Sequence, residues 1–119
     1  MKPNNVLQDK SYAFAIKIIH LHHELVELKE FDLGRQVFKS GTSIGANVEE
    51  AIGAYSEKEF LYKLGIAYRE ARETHFWLRL LIDSKIIPSM TCNPMKEDVE
   101  ELLRIIGSIQ VTVKRKQNP

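Results

Sequence analysis

Apolar residues recur along this chain with helical spacing in four separate stretches. Val37, Gly41, Ile44, Val48, Ala51 and Tyr55 step by 4-3-4-3-4, the spacing of a helix seam packed against other helices. Phe60, Leu64, Ala67, Ala71, Thr74, Leu78 and Leu81 form a second seam, and Met95, Val99, Leu102, Ile106, Ile109 and Val113 a third. The first stretch carries two stripes. Tyr12, Ile16, Ile19, His23 and Val26 make one, and Phe14, Ile18, Leu21, Leu25 and Leu28 the other. At roughly 100° per residue these lie about 160° apart.

Local signals set the expected boundaries. The first helix runs from about 9 to 29. Asp32 is a good N-cap for a second helix over 33–55. Ser56 followed by Glu59 reads as a capping box that opens a third helix over 57–84. Asn93 and Pro94 suit the N-cap and first position of a fourth helix over 94–114. No stretch alternates as a strand does. Long helices joined by short connections predict an all-α, antiparallel, up-down-up-down four-helix bundle as a single domain over residues 1–119.

The second seam helix is unusual in composition. Of residues 40–51, eight are Gly, Ala, Ser, Thr or Asn. Glycine inside a helix costs about 1 kcal/mol against alanine, so Gly41 and Gly45 imply close backbone approach. Gly41, Ile44, Gly45, Asn47 and Val48 are therefore assigned to helix packing, with Asn47 expected to hydrogen-bond across helices.

Two helices carry more apolar surface than one bundle core takes. On the third, Tyr62, Ile66, Trp77 and Leu80 lie well round from the seam. With one stripe of the first helix, Phe14, Ile18, Leu21 and Leu25, they are assigned to an interface between copies of the chain, because a soluble monomer rarely exposes so large an apolar patch.

Composition narrows the chemistry. The 119 residues carry 17 lysines and arginines against 16 acids, a net charge of +1. That balance disfavours a strongly electrostatic nucleic-acid binder but leaves room for a local patch. Lys58, Arg69, Arg72 and Arg79 fall within about 80° on the third helix, with Phe76 among them. Arginine beside an aromatic ring suits phosphates and bases, so these five residues are the expected contact with RNA or a partner protein. Glu73 and Glu57 stand near enough to pair with that stripe instead.

Cys92 is the only cysteine, which excludes an intrachain disulfide and a cysteine-based metal cluster. No leader peptide or membrane-length apolar run is visible, so a cytoplasmic protein without membrane contact is expected. The run His20-Leu21-His22-His23-Glu24 offers pairs of metal ligands one turn apart, and a metal-dependent enzyme using His20–His23 is the alternative function. Two ligands do not complete a site. A di-iron bundle would need Glu-x-x-His on two helices, and Glu49, Glu50, Glu70 and Glu73 all lack the histidine. No phosphate-binding loop or nucleophile elbow is present. Neither a catalytic residue nor a cofactor is expected.

The run Ser40-Gly41-Thr42-Ser43-Ile44-Gly45-Ala46-Asn47-Val48-Glu49-Glu50-Ala51, then Ser56-Glu57-Lys58-Glu59-Phe60, Ile66-Ala67, Glu70-Ala71, Glu73-Thr74 and Trp77-Leu78, resembles a bacterial four-helix-bundle family, the 23S rRNA intervening-sequence proteins. The resemblance implies a ring-shaped homopentamer with no enzymatic activity. It also implies a relationship to the accessory subunit of diversity-generating retroelement reverse transcriptases, which binds RNA and the polymerase.

Overall fold

The computed structural model describes the backbone of residues 2–117 and the side chains of 6–117. Four helices follow one another: α1 (Lys2–Glu27), α2 (Phe31–Ile52), α3 (Glu57–Asp83) and α4 (Ser89–Gln117). Each packs on its neighbours in sequence, and α1 closes against α4. The helices thus form a square bundle, 50 × 21 × 21 Å, with α1 diagonal to α3 and α2 diagonal to α4. Among the described residues every regular element is a helix.

The heptad seams supply the core. Val37, Ile44, Val48, Ala51, Leu64, Ala67, Ala71, Leu78, Leu81, Val99, Leu102 and Ile106 are all buried. Tyr55 departs from its seam. The second helix ends at Ile52 rather than 55, and Tyr55 stands fully exposed in the turn.

Helix α1 differs from expectation in a way that matters for function. Phe14, Ile18, Leu21 and Leu25 are buried in the core of the single subunit, so they are not an interface between copies. The stripe left outside is the other one: Tyr12, Ile16, Ile19 and Val26 remain 39–68% exposed. The cause is the glycine pair on α2. A Cβ on Gly41 would sit 2.6 Å from Ile18, and one on Gly45 would sit 3.3 Å from the Ser11 carbonyl oxygen. These close contacts select the α1 face that carries Ser11 and Ile18 and turn it inward.

The small polar residues of α2 are satisfied within or beside the helix. Thr42 donates to the Phe38 carbonyl at 2.8 Å and Ser43 to that of Lys39 at 2.6 Å. Asn47 does not reach across helices; its amide donates to the Ser43 carbonyl at 2.9 Å. Buried Thr74 donates to the Glu70 carbonyl at 2.7 Å and pairs with buried Ser40 at 2.9 Å, joining α2 to α3.

The helix ends follow local chemistry. Ser56 accepts from the Glu59 amide at 3.1 Å, as a capping residue does. Asp32 caps nothing; it lies inside α2, paired with Arg35 at 3.2 Å. Helices α1 and α3 both end in Schellman motifs, Glu30 N–H to the Leu25 carbonyl and Ile86 N–H to that of Leu81. The left-handed positions are Lys29 and Lys85, where glycine is usual. Helix α4 begins at Ser89, before the expected 94. The Pro88 carbonyl accepts from Thr91 and Cys92, and Pro94 lies inside the helix, omitting only a bond to Met90 in its exposed first turn.

Two glycine substitutions should act in opposite directions. Gly41→Ala meets three atoms of fully buried Ile18 and should destabilise by about 1–2 kcal/mol, overpacking outweighing the gain in helix propensity. Gly65→Ala meets nothing within 4 Å and should stabilise by up to about 1 kcal/mol. Urea denaturation at one protein concentration measures both.

Candidate functional site

The residues expected to contact a partner lie where helix geometry puts them, along the outside of α3. Lys58, Arg69, Arg72 and Arg79 are exposed, and Phe76 is 44% exposed. The Arg79 guanidinium lies 5.8 Å from the centre of the Phe76 ring, which in turn packs edge-on against Trp77 at 5.1 Å. Such a cation–π contact holds an arginine in place while leaving its donors free. Among the described residues no ion pair joins Glu73 to the stripe; its carboxylate accepts from the Trp77 indole N–H at 3.1 Å. Among the described residues Arg72, Arg79 and Arg104 make no ion pair, whereas three lysines elsewhere do: Lys10 with Glu101, Lys17 with Asp98 and Lys63 with Glu50. The balance of charge over the whole chain thus conceals a local excess.

A polar cluster that the sequence does not advertise sits beside this stripe. His75 Nε2 lies 2.9 Å from Glu100 Oε2, and Lys96 Nζ lies 3.1 Å from the same oxygen. His75 and Lys96 hold the Glu100 carboxyl below its ordinary range by hydrogen bonding to its charged form. From sequence alone His75 attracts no role, since it matches no ligand spacing. Only the packing of α3 on α4 brings it to Glu100. On the opposite flank of α3, Glu70 is half-buried; its pKa is raised by loss of water and, secondarily, by Glu73.

The other expected interface residues of α3 are divided. Tyr62 is 65% and Leu80 37% exposed. Ile66 and Trp77 are half-buried, and Trp77 packs against the subunit core. Of the packing residues, Gly41, Ile44 and Val48 are buried, while Gly45 and Asn47 are half-buried. Glu49 accepts from Gln8 at 2.8 Å and Glu50 pairs with Lys63 at 2.6 Å, tying α2 to α1 and α3 near one end of the bundle.

The histidine run does not converge. His20 and His23 are exposed, and His22 packs its ring against Phe38 at 4.8 Å. Among the described residues no three His, Cys, Asp or Glu side chains group to hold a metal ion. Cys92 is buried, and loss of water lifts its thiol to about 11, with Glu24 adding to the shift. Its thiolate is therefore scarce at neutral pH. Among the described residues no helix is long and apolar enough to cross a membrane.

These features define an antiparallel four-helix bundle whose outer surface carries both exposed arginines and exposed apolar side chains. The chain belongs to the family of 23S rRNA-intervening sequence proteins, whose model matches residues 4–108. Among solved structures it is similar to a protein of unknown function from the S23 ribosomal protein family of Bacteroides thetaiotaomicron VPI-5482. The two are 43% identical with a TM-score of 0.88, over 91% of this chain and 97% of that one. No curated protein matches the chain.

The His75–Glu100–Lys96 cluster carries a pH signature. The Glu100 pKa is lowered from 4.5, so its contribution is full above that value and is lost as pH falls through the lower folded-state value. Glu100→Gln should cost at most about 1 kcal/mol near pH 5.5, since the pair is partly solvated. The difference from wild type should shrink as pH falls below 4.5. Thermal denaturation across that range measures it, and a gap that widens on acidification would contradict the assignment.

Proposed function

We propose that this protein is a non-catalytic, homo-oligomeric scaffold of the cytoplasm that engages RNA or a partner protein through the outer face of α3. The observation that carries the assembly is the pair of unpartnered apolar stripes. Tyr12, Ile16, Ile19 and Val26 lie on α1, and Tyr62 and Leu80, with half-buried Ile66, on α3. Because α1 and α3 are diagonal, these stripes face away from one another. A copy that seats its α3 stripe on the α1 stripe of the next still has its own α1 free. Such head-to-tail contacts propagate and close into a ring when the rotation permits. Five copies is the number that the family resemblance implies.

Burying the exposed part of each such side chain is worth roughly 1 kcal/mol, a fraction of the full transfer of a large apolar residue. Several per interface, repeated around a ring, sustain assembly at micromolar concentration. A ring also multiplies a weak contact. Arg69, Arg72, Arg79 and Lys58 give each subunit a modest basic stripe, and linked copies raise its effective affinity by orders of magnitude.

Two variants separate assembly from contact. Ile16→Glu changes a residue that is 43% exposed in the subunit, so the fold should survive. Its mass by light scattering should fall to the 13.7 kDa of one chain. Arg69→Glu with Arg72→Glu should keep the wild-type mass and lose retention of RNA or protein in a pull-down from the native host. An Ile16→Glu protein of unchanged mass rejects the interface; retention by the arginine variant rejects the contact face.

A further inference from the structure

The His75–Glu100 contact marks the register in which α3 and α4 pack, and that register brings together basic residues from both helices. On α3, Arg72 precedes His75 by three residues and Arg79 follows it by four. On α4, Lys96 precedes Glu100 by four and Arg104 follows it by four. Residues three or four apart share a helix face. The 2.9 Å contact at the centre therefore sets Arg72, Arg79, Lys96 and Arg104 around one seam between the two helices. Glu100, at that centre, is already bonded by His75 and Lys96; of its acidic neighbours on α4, Glu101 is paired with Lys10 and Glu97 is exposed. Arg72, Arg79 and Arg104 are exposed and make no ion pair among the described residues.

We infer that this α3–α4 seam is a binding site for the phosphate backbone of single-stranded RNA, with Arg104 as a contact residue that α4 contributes. The inference rests on the contact face proposed above and extends it across to α4. Arg72 and Arg79 stand about 10 Å apart along the helix axis, at 1.5 Å per residue. That span suits two or three successive phosphates of an extended strand. Phe76 lies between them in sequence, half exposed, with the Arg79 guanidinium over its ring. A basic track interrupted by an aromatic ring is the arrangement that binds single strands, in which an unpaired base is free to stack. A duplex keeps its bases stacked inside and has no use for the ring. An acidic protein surface would meet the arginines but gain little from Phe76.

Fluorescence anisotropy with a labelled oligouridylate of about 20 nucleotides, longer than a typical single site, tests the inference on the intact assembly. Arg104→Glu and Arg72→Glu should each weaken binding about tenfold or more at moderate salt. Each should also reduce the slope of log affinity against log salt by roughly 0.7 for every phosphate that the variant no longer neutralises. Phe76→Ala should weaken the single strand at least about fivefold, the loss expected for one stacked base. Arg35→Glu, on α2 away from the seam, should bind as wild type does. Wild-type affinity in Arg104→Glu overturns the α4 contribution while leaving the α3 face standing if Arg69→Glu with Arg72→Glu still fails to bind. Full binding by that double variant removes both. An RNA duplex of equal length bound as tightly as the single strand overturns the role of Phe76. Polyglutamate bound as tightly as oligouridylate overturns the RNA site and assigns the seam to an acidic protein instead.

Discussion

A helix in a four-helix bundle has room to bury one stripe of side chains, and α1 and α3 carry more apolar surface than one stripe holds. This constraint organises the rest of the protein. The core is filled by Phe14, Ile18, Leu21 and Leu25 from α1 and by the Leu64–Leu81 seam from α3. What remains apolar on those two helices has no neighbour within the subunit, because α2 and α4 flank them on the inner sides only. The surplus is not scattered. It lies at helical spacing along Tyr12, Ile16, Ile19 and Val26, a pattern suited to receiving another helix.

The choice of which α1 stripe turns inward follows from small residues on a different helix. With no side chains at Gly41 and Gly45, α2 admits Ile18 and the Ser11 backbone at distances that a Cβ would forbid. The buried Ser40–Thr74 pair serves the same helix on its other side, holding it to α3. The stretch that is poorest in bulky residues thus determines how its neighbours rotate, and through them which surfaces are left exposed.

Much of this is legible from spacing alone. The seams of α2, α3 and α4 are readable because each has one dominant apolar stripe, and Ser56 announces its helix through a side chain that acts locally. The α1 face is harder to read: both stripes have helical spacing, although the one with Phe14, Ile18, Leu21 and Leu25 lacks the Tyr12 and His23 of the other, and the close contact that fixes the choice comes from Gly41, distant in sequence. The start of α4 escapes a sequence reading because Pro94 matches a first helical position, while the actual start depends on a backbone carbonyl, that of Pro88, which has no side-chain signature. The ends of α1 and α3 are blurred because Lys29 and Lys85 occupy positions where glycine would have marked the stop. At the proposed contact face, the α3 arginines are visible as a periodic stripe. The seam with Arg104 is not, since it exists only once His75 meets Glu100.

On the function proposed above, the protein divides its labour: a core that uses half of each helix, apolar flanks for joining copies, and a basic seam for a partner. The first of these is what the other two require. Sedimentation equilibrium of the unaltered chain over a range of micromolar concentrations tests it most directly. An assembled species at a whole-number multiple of 13.7 kDa, persisting on dilution, is the expected result. A homogeneous single chain throughout that range would contradict the surplus-surface account and the ring with it.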